Sequence, residues 1–271
     1  AHDIIAAKLA LKTGLPFVYD DHEYWSKEAK YRMCYLRSPL QAYGWLIWRK
    51  WEKEVLRKAA GVVTICDNTA NEHRAYNDKV IVLPNLPLRE EVEEIEEQNK
   101  PKTLSTVYVG SLSQPQPPYR DMSGFMELFK ENRIGNLVVI GDEKLKSEPP
   151  IYSLGVMPHR KLLRELAKYH IGIIPWKKHP FHRYCNPNKA YEYAAAGLHV
   201  IVPSDMDAVI SMFNKLCETF EDYNDMVSML SYYAEDPEEA LKKGLKIKEY
   251  AKQHLVWENY ADRLIGLYRS L

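Results

Sequence analysis

Short apolar runs rich in valine and isoleucine alternate with amphipathic stretches along most of the chain. Such runs, ended by glycine, proline or asparagine, predict buried strands, and the stretches between them predict helices. Strands are expected at 16–20, 61–66, 79–83, 106–110, 136–141, 151–155, 171–175 and 199–203. The first helix is expected over 4–13 and to end at Gly14. Strands and helices in alternation predict an α/β protein with parallel sheets.

The composition changes near residue 89 and divides this pattern. The segment 89–102 contains six glutamates, which is typical of a solvated connector. We therefore expect one domain at 1–88, a second at 103–255, and a C-terminal helix over 256–271 that packs back on the first domain. Because three strands make a poor self-standing doubly wound sheet, the first domain is expected to lack its N-terminal part.

The bulk composition fits a folded protein without an electrostatic preference for nucleic acid. Apolar residues make up 46% of the 271 residues, and Lys+Arg and Asp+Glu are both 37. A net charge of zero provides no overall attraction to a polyanion, so we expect no nucleic-acid partner. The four cysteines are scattered without paired spacing, which predicts reduced thiols in a cytoplasmic protein. No signal peptide or apolar run of membrane-spanning length is visible.

The most informative segment reads Asn-Pro-Asn-Lys-Ala-Tyr-Glu-Tyr-Ala-Ala-Ala-Gly. Asn186 is expected to cap a helix, Pro187 to take its first position, and Gly197 to end it. Free N–H groups at a helix start bind phosphate, and Lys189 adds a positive charge there. Glu192 shares that face and is suited to accept hydrogen bonds from ribose hydroxyls. From the spacing alone, a capped surface helix with a Lys–Glu pair is the simpler interpretation.

This segment and the strand after it resemble the donor-site pattern of retaining family-four glycosyltransferases, which have the two-domain GT-B fold. Other pieces that resemble the family occur in the expected order, at 20–23, 83–85, 107–111, 138–142 and 154–159. Each piece alone is unspecific, but their order and spacing together favour the family over nearly the whole chain. The resemblance implies an α/β fold of two Rossmann-like domains. It also implies that a hexosyl group is transferred from a nucleotide-diphosphate sugar to an acceptor with retention of configuration.

The resemblance also implies site residues. The implied donor-binding residues are Gly110, Ser111, Arg120, Tyr184, Asn188, Lys189 and Glu192. Glu192 would bind the ribose, and the helix start at Asn188 and Lys189, with Arg120, would bind the diphosphate. The implied catalytic residues are His22, which would approach the transferred sugar, and Arg120 and Lys189, which would stabilise the departing diphosphate. A satisfied structural histidine is the alternative for His22.

No metal cofactor is implied by the resemblance. His179, His182 and Cys185 are spaced three apart, but no fourth ligand is evident, so we interpret them as a loop.

Tyr184 departs from the family pattern. The family often has a sugar-contacting glutamate at this position, whereas a phenol carries no charge at neutral pH. Two alternatives to a glycosyltransferase therefore stay open: a non-catalytic GT-B-fold binding or partner subunit, and a GT-B sugar-nucleotide epimerase.

Basic and aromatic residues interleave over 27–58. The simpler interpretation is a domain helix with its tryptophans packed inward and a solvated basic face. The alternative is a peripheral membrane contact, which would suit a lipid-linked acceptor in glycan biosynthesis.

Overall fold

Parallel strands and helices alternate through the chain in the computed structural model, which describes residues 1–33 and 39–271. The described chain divides into two compact units. The first unit consists of Ala1–Asn85, Pro180–Asn186 and Glu258–Leu271, and the second of Leu86–His179 and Pro187–Trp257. The expected α/β class with two Rossmann-like domains is confirmed.

The first unit contains a three-stranded parallel sheet in the order β1-β2-β3. The strands are β1 Val18–Asp21, β2 Gly61–Thr64 and β3 Val80–Val82, which confirms the three strands expected here. The helices before and between them are α1 Asp3–Thr13, α2 Trp25–Met33, α3 Pro39–Lys58 and α4 Asp67–His73. As predicted, α1 ends at Gly14, which has a φ of +70°. The core forms where the apolar faces of α1 and α3 cover the sheet, around Ile4, Tyr19 and Leu56.

The second unit is built on a six-stranded parallel sheet in the order β6-β5-β4-β7-β8-β9. The strands are β4 Ser105–Val109, β5 Asn136–Ile140, β6 Ile151–Ser153, β7 Ile171–Ile173, β8 His199–Pro203 and β9 Glu218–Phe220. The five expected strands are confirmed, and β9 was not predicted. The chain moves outward from β4 to β6 and then returns beside β4 as β7. Where strand order reverses in this way, open α/β sheets bind ligands in the crevice at the carboxyl ends of the strands, which are β4 and β7 here.

The helices of the second unit cover this sheet. They are α5 Arg89–Glu93, α6 Phe125–Glu131, α7 His159–Leu166, α8 Asn188–Ala195, α9 Asp207–Met212, α10 Tyr223–Glu235 and α11 Pro237–His254. The acidic segment 89–102 thus begins with α5, in which Val92 is buried, and Ile95 just after it is buried too. A 3-10 turn, Trp257–Tyr260, leads to the last helix, α12 Ala261–Arg269, whose Leu267 packs with Val63 and Leu83 of the first unit.

The basic region 27–58 spans α2 and α3, and its residues 34–38 lie outside the described residues. None of the helices in the described ranges is long and apolar enough to cross a membrane.

Candidate functional site

The crevice between β4 and β7 is bordered by a glycine turn directly after β4. Gly110 has a φ of +142°, a conformation that side chains rarely adopt. A Cβ atom at this position would lie 2.8 Å from the hydroxyl of Tyr108 and 3.2 Å from Nζ of Lys189. The glycine therefore lets the backbone approach the cation of α8 closely.

Asp142 holds the loop after Gly110 in place. Its carboxylate accepts hydrogen bonds from the Ser111 hydroxyl at 3.0 Å, the Leu112 amide at 2.8 Å, and the amide and hydroxyl of Ser113 at 2.7 and 2.6 Å. Burial alone would raise the pKa of Asp142, but the bonds from Ser113 and the backbone amides outweigh it and hold that pKa well below its usual range. The hydroxyl of the predicted donor-binding residue Ser111 thus donates to Asp142 within the protein.

Two cations converge on the crevice. Lys189, in the first turn of α8, donates from Nζ to the carbonyl of Val109 at 2.5 Å and lies 4.5 Å from the Tyr108 ring centre. Lys189 and Arg120 lie 5.4 and 5.1 Å from the ring centre of Trp176. The structure thereby brings together Gly110, Arg120 and Lys189, which the sequence had predicted as one site.

Glu192 attracts Lys189 from a distance, but neither cation has a carboxylate in direct contact in the described part of the chain. In the described ranges no carboxylate forms a salt bridge with Arg120 or Lys189, and Nε of Arg120 is buried without a hydrogen-bond partner. Burial and the positive charge of Arg120 lower the pKa of Lys189 to about 7. Like charges held together in this way are unfavourable, and an anion in the crevice would relieve them.

Glu192 lies on α8 beyond Lys189 and its side chain is only 13% exposed. Its Oε1 is 3.2 Å from Nε2 of His159, and Nδ1 of the same imidazole is 3.2 Å from Oε1 of Glu91. Burial raises the pKa of Glu192, and the attraction of His159 and Lys189 opposes that rise. Neither His159 nor Glu91 was predicted as a site residue.

The start of α8 differs in detail from the prediction. The helix begins at Asn188, Pro187 takes the cap position, and no side chain caps it. The prediction that Asn186 caps the helix is wrong, because its side-chain amide donates to the Ile65 carbonyl at 2.7 Å. Gly197 ends the segment with a φ of +77°, as predicted. The uncapped N–H groups beside Asn188, whose side chain is exposed, can therefore bind a ligand.

His22 belongs to the first unit and follows β1 directly. Its Nε2 is 3.0 Å from Oδ1 of Asp20, and Nδ1 of His2 is 3.1 Å from the other oxygen of that carboxylate. The bond to Asp20 raises the pKa of His22 against the effect of burial. His22 is thus positioned by the carboxylate of Asp20. The ligand atoms of His2, Asp20 and His22 also lie within 4.8 Å of one another, close enough for one metal ion.

Tyr184, also in the first unit, contacts a carboxylate that sequence reasoning missed. Its hydroxyl donates to Glu72 of α4, which also accepts from Tyr24 at 2.5 Å and pairs with Lys27 at 2.8 Å. Nζ of Lys27 lies 3.2 Å from the Tyr184 hydroxyl. Tyr184 carries no negative charge itself, but the carboxylate of Glu72, which accepts its hydrogen bond, supplies one next to it. No sequence motif pointed to Glu72.

Comparison with known proteins establishes the fold. No protein-family model matches the chain, and no curated protein matches it. The chain superposes on sucrose-phosphate synthase from Thermosynechococcus elongatus with a TM-score of 0.70 at 17% identity, over 99% of this chain and 72% of that one. The chain has the GT-B fold. The expected resemblance to GT-B glycosyltransferases is thus confirmed at the level of structure.

Two further structures agree. Anabaena HepE in complex with UDP-glucose matches with a TM-score of 0.67 at 11% identity, over 99% of this chain and 76% of that one. Trehalose 6-phosphate synthase from Burkholderia multivorans matches with a TM-score of 0.68 at 11% identity, over 99% of this chain and 70% of that one. The chain therefore spans about three quarters of each of these relatives.

Proposed function

We propose that this chain is a glycosyltransferase whose second unit binds a nucleotide-diphosphate sugar. The observation that carries the proposal is the pair of cations Arg120 and Lys189, which form no salt bridge in the described part of the chain, beside the uncapped start of α8. A diphosphate brings two negative charges to such a place, and helix N–H groups and cations are the groups that bind it. The GT-B relatives support the proposal, and HepE in complex with UDP-glucose suggests uridine nucleotides as the first probes.

The remaining donor contacts follow from the same placement. The backbone of Gly110 and Ser111 borders the crevice, and Asn188 opens the first turn of α8. Glu192 would accept hydrogen bonds from the ribose hydroxyls, since a carboxylate offers acceptor sites on both oxygens.

The proposed reaction transfers the sugar to an acceptor held by the first unit. As the bond from the sugar to the diphosphate breaks, negative charge grows on the leaving oxygen. Arg120, Lys189 and the helix N–H groups stabilise that charge where it develops. His22 is proposed to approach the transferred sugar, and the family resemblance supports retention of configuration. A glycan or a lipid-linked molecule is the proposed acceptor.

A screen of nucleotide sugars by thermal shift and calorimetry tests the donor proposal, because a ligand of the folded state raises the unfolding temperature by mass action. We expect at least one nucleotide-diphosphate sugar to bind, and Arg120→Ala and Lys189→Ala to weaken it. Unchanged affinity in both variants would remove this site assignment. NMR of the glycoside product then reports the anomeric configuration.

Tyr184 favours a second candidate, a non-catalytic GT-B-fold binding subunit. Formation of a glycoside from any nucleotide sugar dismisses it. Accumulation of an epimerised nucleotide sugar without transfer would instead favour an epimerase.

A peripheral membrane contact through 27–58 is a separate proposal. On α3, a groove of about 460 Å³ is lined by Leu46, Arg49, Lys50, Lys53, Glu54, Arg57 and Lys58. Only Glu54 opposes these cations, and it already pairs with Lys8 and Lys58. We expect the protein to co-sediment with phosphatidylglycerol vesicles more than with phosphatidylcholine vesicles, and Lys53→Glu to reduce the difference. Equal sedimentation on both lipids would refute the contact.

A further inference from the structure

One imidazole links the buried carboxylate of α8 to the acidic segment at 89–102. His159 is the first residue of α7, and its side chain is 47% exposed. Its two ring nitrogens each lie 3.2 Å from a carboxylate oxygen, one of Glu192 and one of Glu91. The imidazole therefore lies between two carboxylates and links them through its two ring nitrogens.

Glu91, at one end of this link, is held by a backbone hydrogen bond. The second oxygen of Glu91 accepts a hydrogen bond from the Leu88 amide at 2.9 Å and so helps to start α5. Helix α5 is in turn tied to α7, because Arg160 lies 3.3 Å from Glu90 and 3.7 Å from Glu94. Glu91 is thus a fixed support, with its side chain 17% exposed.

At the other end of this link, one oxygen of the Glu192 carboxylate is left to bind a ligand. His159 occupies Oε1, whereas no hydrogen bond involves Oε2 in the described structure. A carboxylate that is pinned through one oxygen cannot rotate freely about its last torsion. Its other oxygen and the remaining lone pair of Oε1 then point in fixed directions, which is what recognition of two neighbouring hydroxyls requires.

We propose that His159 and Glu91 are positioning residues that orient Glu192 to bind the paired 2′- and 3′-hydroxyls of a ribonucleotide. The proposal rests on the proposed function, since it assumes that a nucleotide diphosphate occupies the crevice beside Lys189. It assigns the acidic segment a role in nucleotide selection: its Glu91 enforces the preference for ribose through His159.

Calorimetric titration with UDP, ADP and GDP, each paired with its 2′-deoxy form, tests the proposal on the full chain. We expect the wild type to prefer a ribonucleotide by about 10-fold or more, because a hydrogen bond to a charged group contributes about 1.5–3 kcal/mol. His159→Phe removes both donors, so the preference should fall toward parity while the affinity for the deoxynucleotide changes less than about three-fold. Glu91→Gln should reduce the preference partly.

Two controls separate positioning from a loss of structure. His159→Gln keeps one N–H donor toward Glu192 and should retain most of the preference. Glu93→Gln changes an exposed residue of the same helix that contacts neither the imidazole nor α7 in the described structure, and it should behave as wild type. Each variant should also keep the wild-type unfolding temperature within a few degrees.

The outcomes distinguish this proposal from the proposed function. If Glu192→Gln abolishes the ribose preference but His159→Phe leaves it intact, Glu192 acts unaided and the positioning role is refuted while the donor site stands. If the wild type binds nucleotides without preferring ribose, the proposal is also wrong. If it binds none of the six nucleotides, the donor site itself is refuted, and the positioning role with it.

Discussion

The lowered pKa of Lys189 makes nucleotide-sugar affinity depend on pH. Burial and the neighbouring Arg120 charge lower this pKa to about 7 in the free protein. A bound diphosphate places two negative charges beside the ammonium group and raises its pKa again. Binding above pH 7 must therefore take up a proton, and the affinity should fall as the pH rises.

The size of the effect follows from the protonated fraction of Lys189. With a free-state pKa of about 7 and a bound-state pKa above about 10, the dissociation constant should rise about 25-fold between pH 7.5 and pH 9, or about 1.9 kcal/mol.

Calorimetry with UDP-glucose, or with the nucleotide sugar that the screen selects, measures the effect, since the diphosphate of such a molecule does not titrate in this window. At pH 8 the heat in buffers of different ionisation enthalpy should report uptake of about 0.9 proton. Lys189→Arg keeps the charge but removes the titration, so its affinity should vary little with pH. A wild-type affinity that is flat from pH 7.5 to 9, or proton release on binding, would refute the reasoning.

Three further predictions concern the stability of the second unit and its affinity for the donor. Arg120→Ala should weaken nucleotide-sugar binding about 10- to 100-fold by calorimetry, as the loss of a charge-assisted contact does, whereas the exposed control Lys146→Ala should not. Asp142→Asn removes acceptor capacity from the loop after Gly110, so urea unfolding should show a loss of about 1–3 kcal/mol, and an unchanged midpoint would contradict that role. Burial alone would raise the pKa of Glu218, but the bonds from His199 and Lys243 lower that pKa to about 2. Because the folded-state pKa is depressed, the ionised Glu218 stabilises the fold above pH 4.5, and this contribution is lost as the pH falls toward 2. Acid unfolding of Glu218→Gln should accordingly be shallower across that range than that of the wild type.

The pattern of apolar runs was enough to locate most strands, because each is buried on both faces of a parallel sheet and is therefore continuously apolar. Strand β9 was not predicted because only Phe220 of its three residues is apolar, and Glu218 at its start lies beside His199 and Lys243. Its pairing with β8 is set by the tertiary fold and leaves little trace in local sequence.

The site residues also divide into those that the sequence predicted and those that only the fold brings together. Lys189 and Glu192 were predicted together because they lie on one short helix that resembles the family's donor-site pattern, although the spacing alone favoured a surface helix. The assignment of Asn186 as a cap followed a local rule, but a carbonyl 121 residues away competes for its side chain. His159 and Glu91 could not be linked to Glu192, because they are 33 and 101 residues away in sequence and meet only through the packing of helices.

The most direct test of the central claim is ³¹P NMR of UDP-, ADP- and GDP-glucose mixed with the full chain. We expect that for at least one of them both diphosphate resonances shift and broaden with the wild type, and that neither does so with the Arg120→Ala/Lys189→Met double variant. Equal perturbation by the double variant, or no perturbation of any of the three by the wild type, would contradict the claim that these two cations form a diphosphate site.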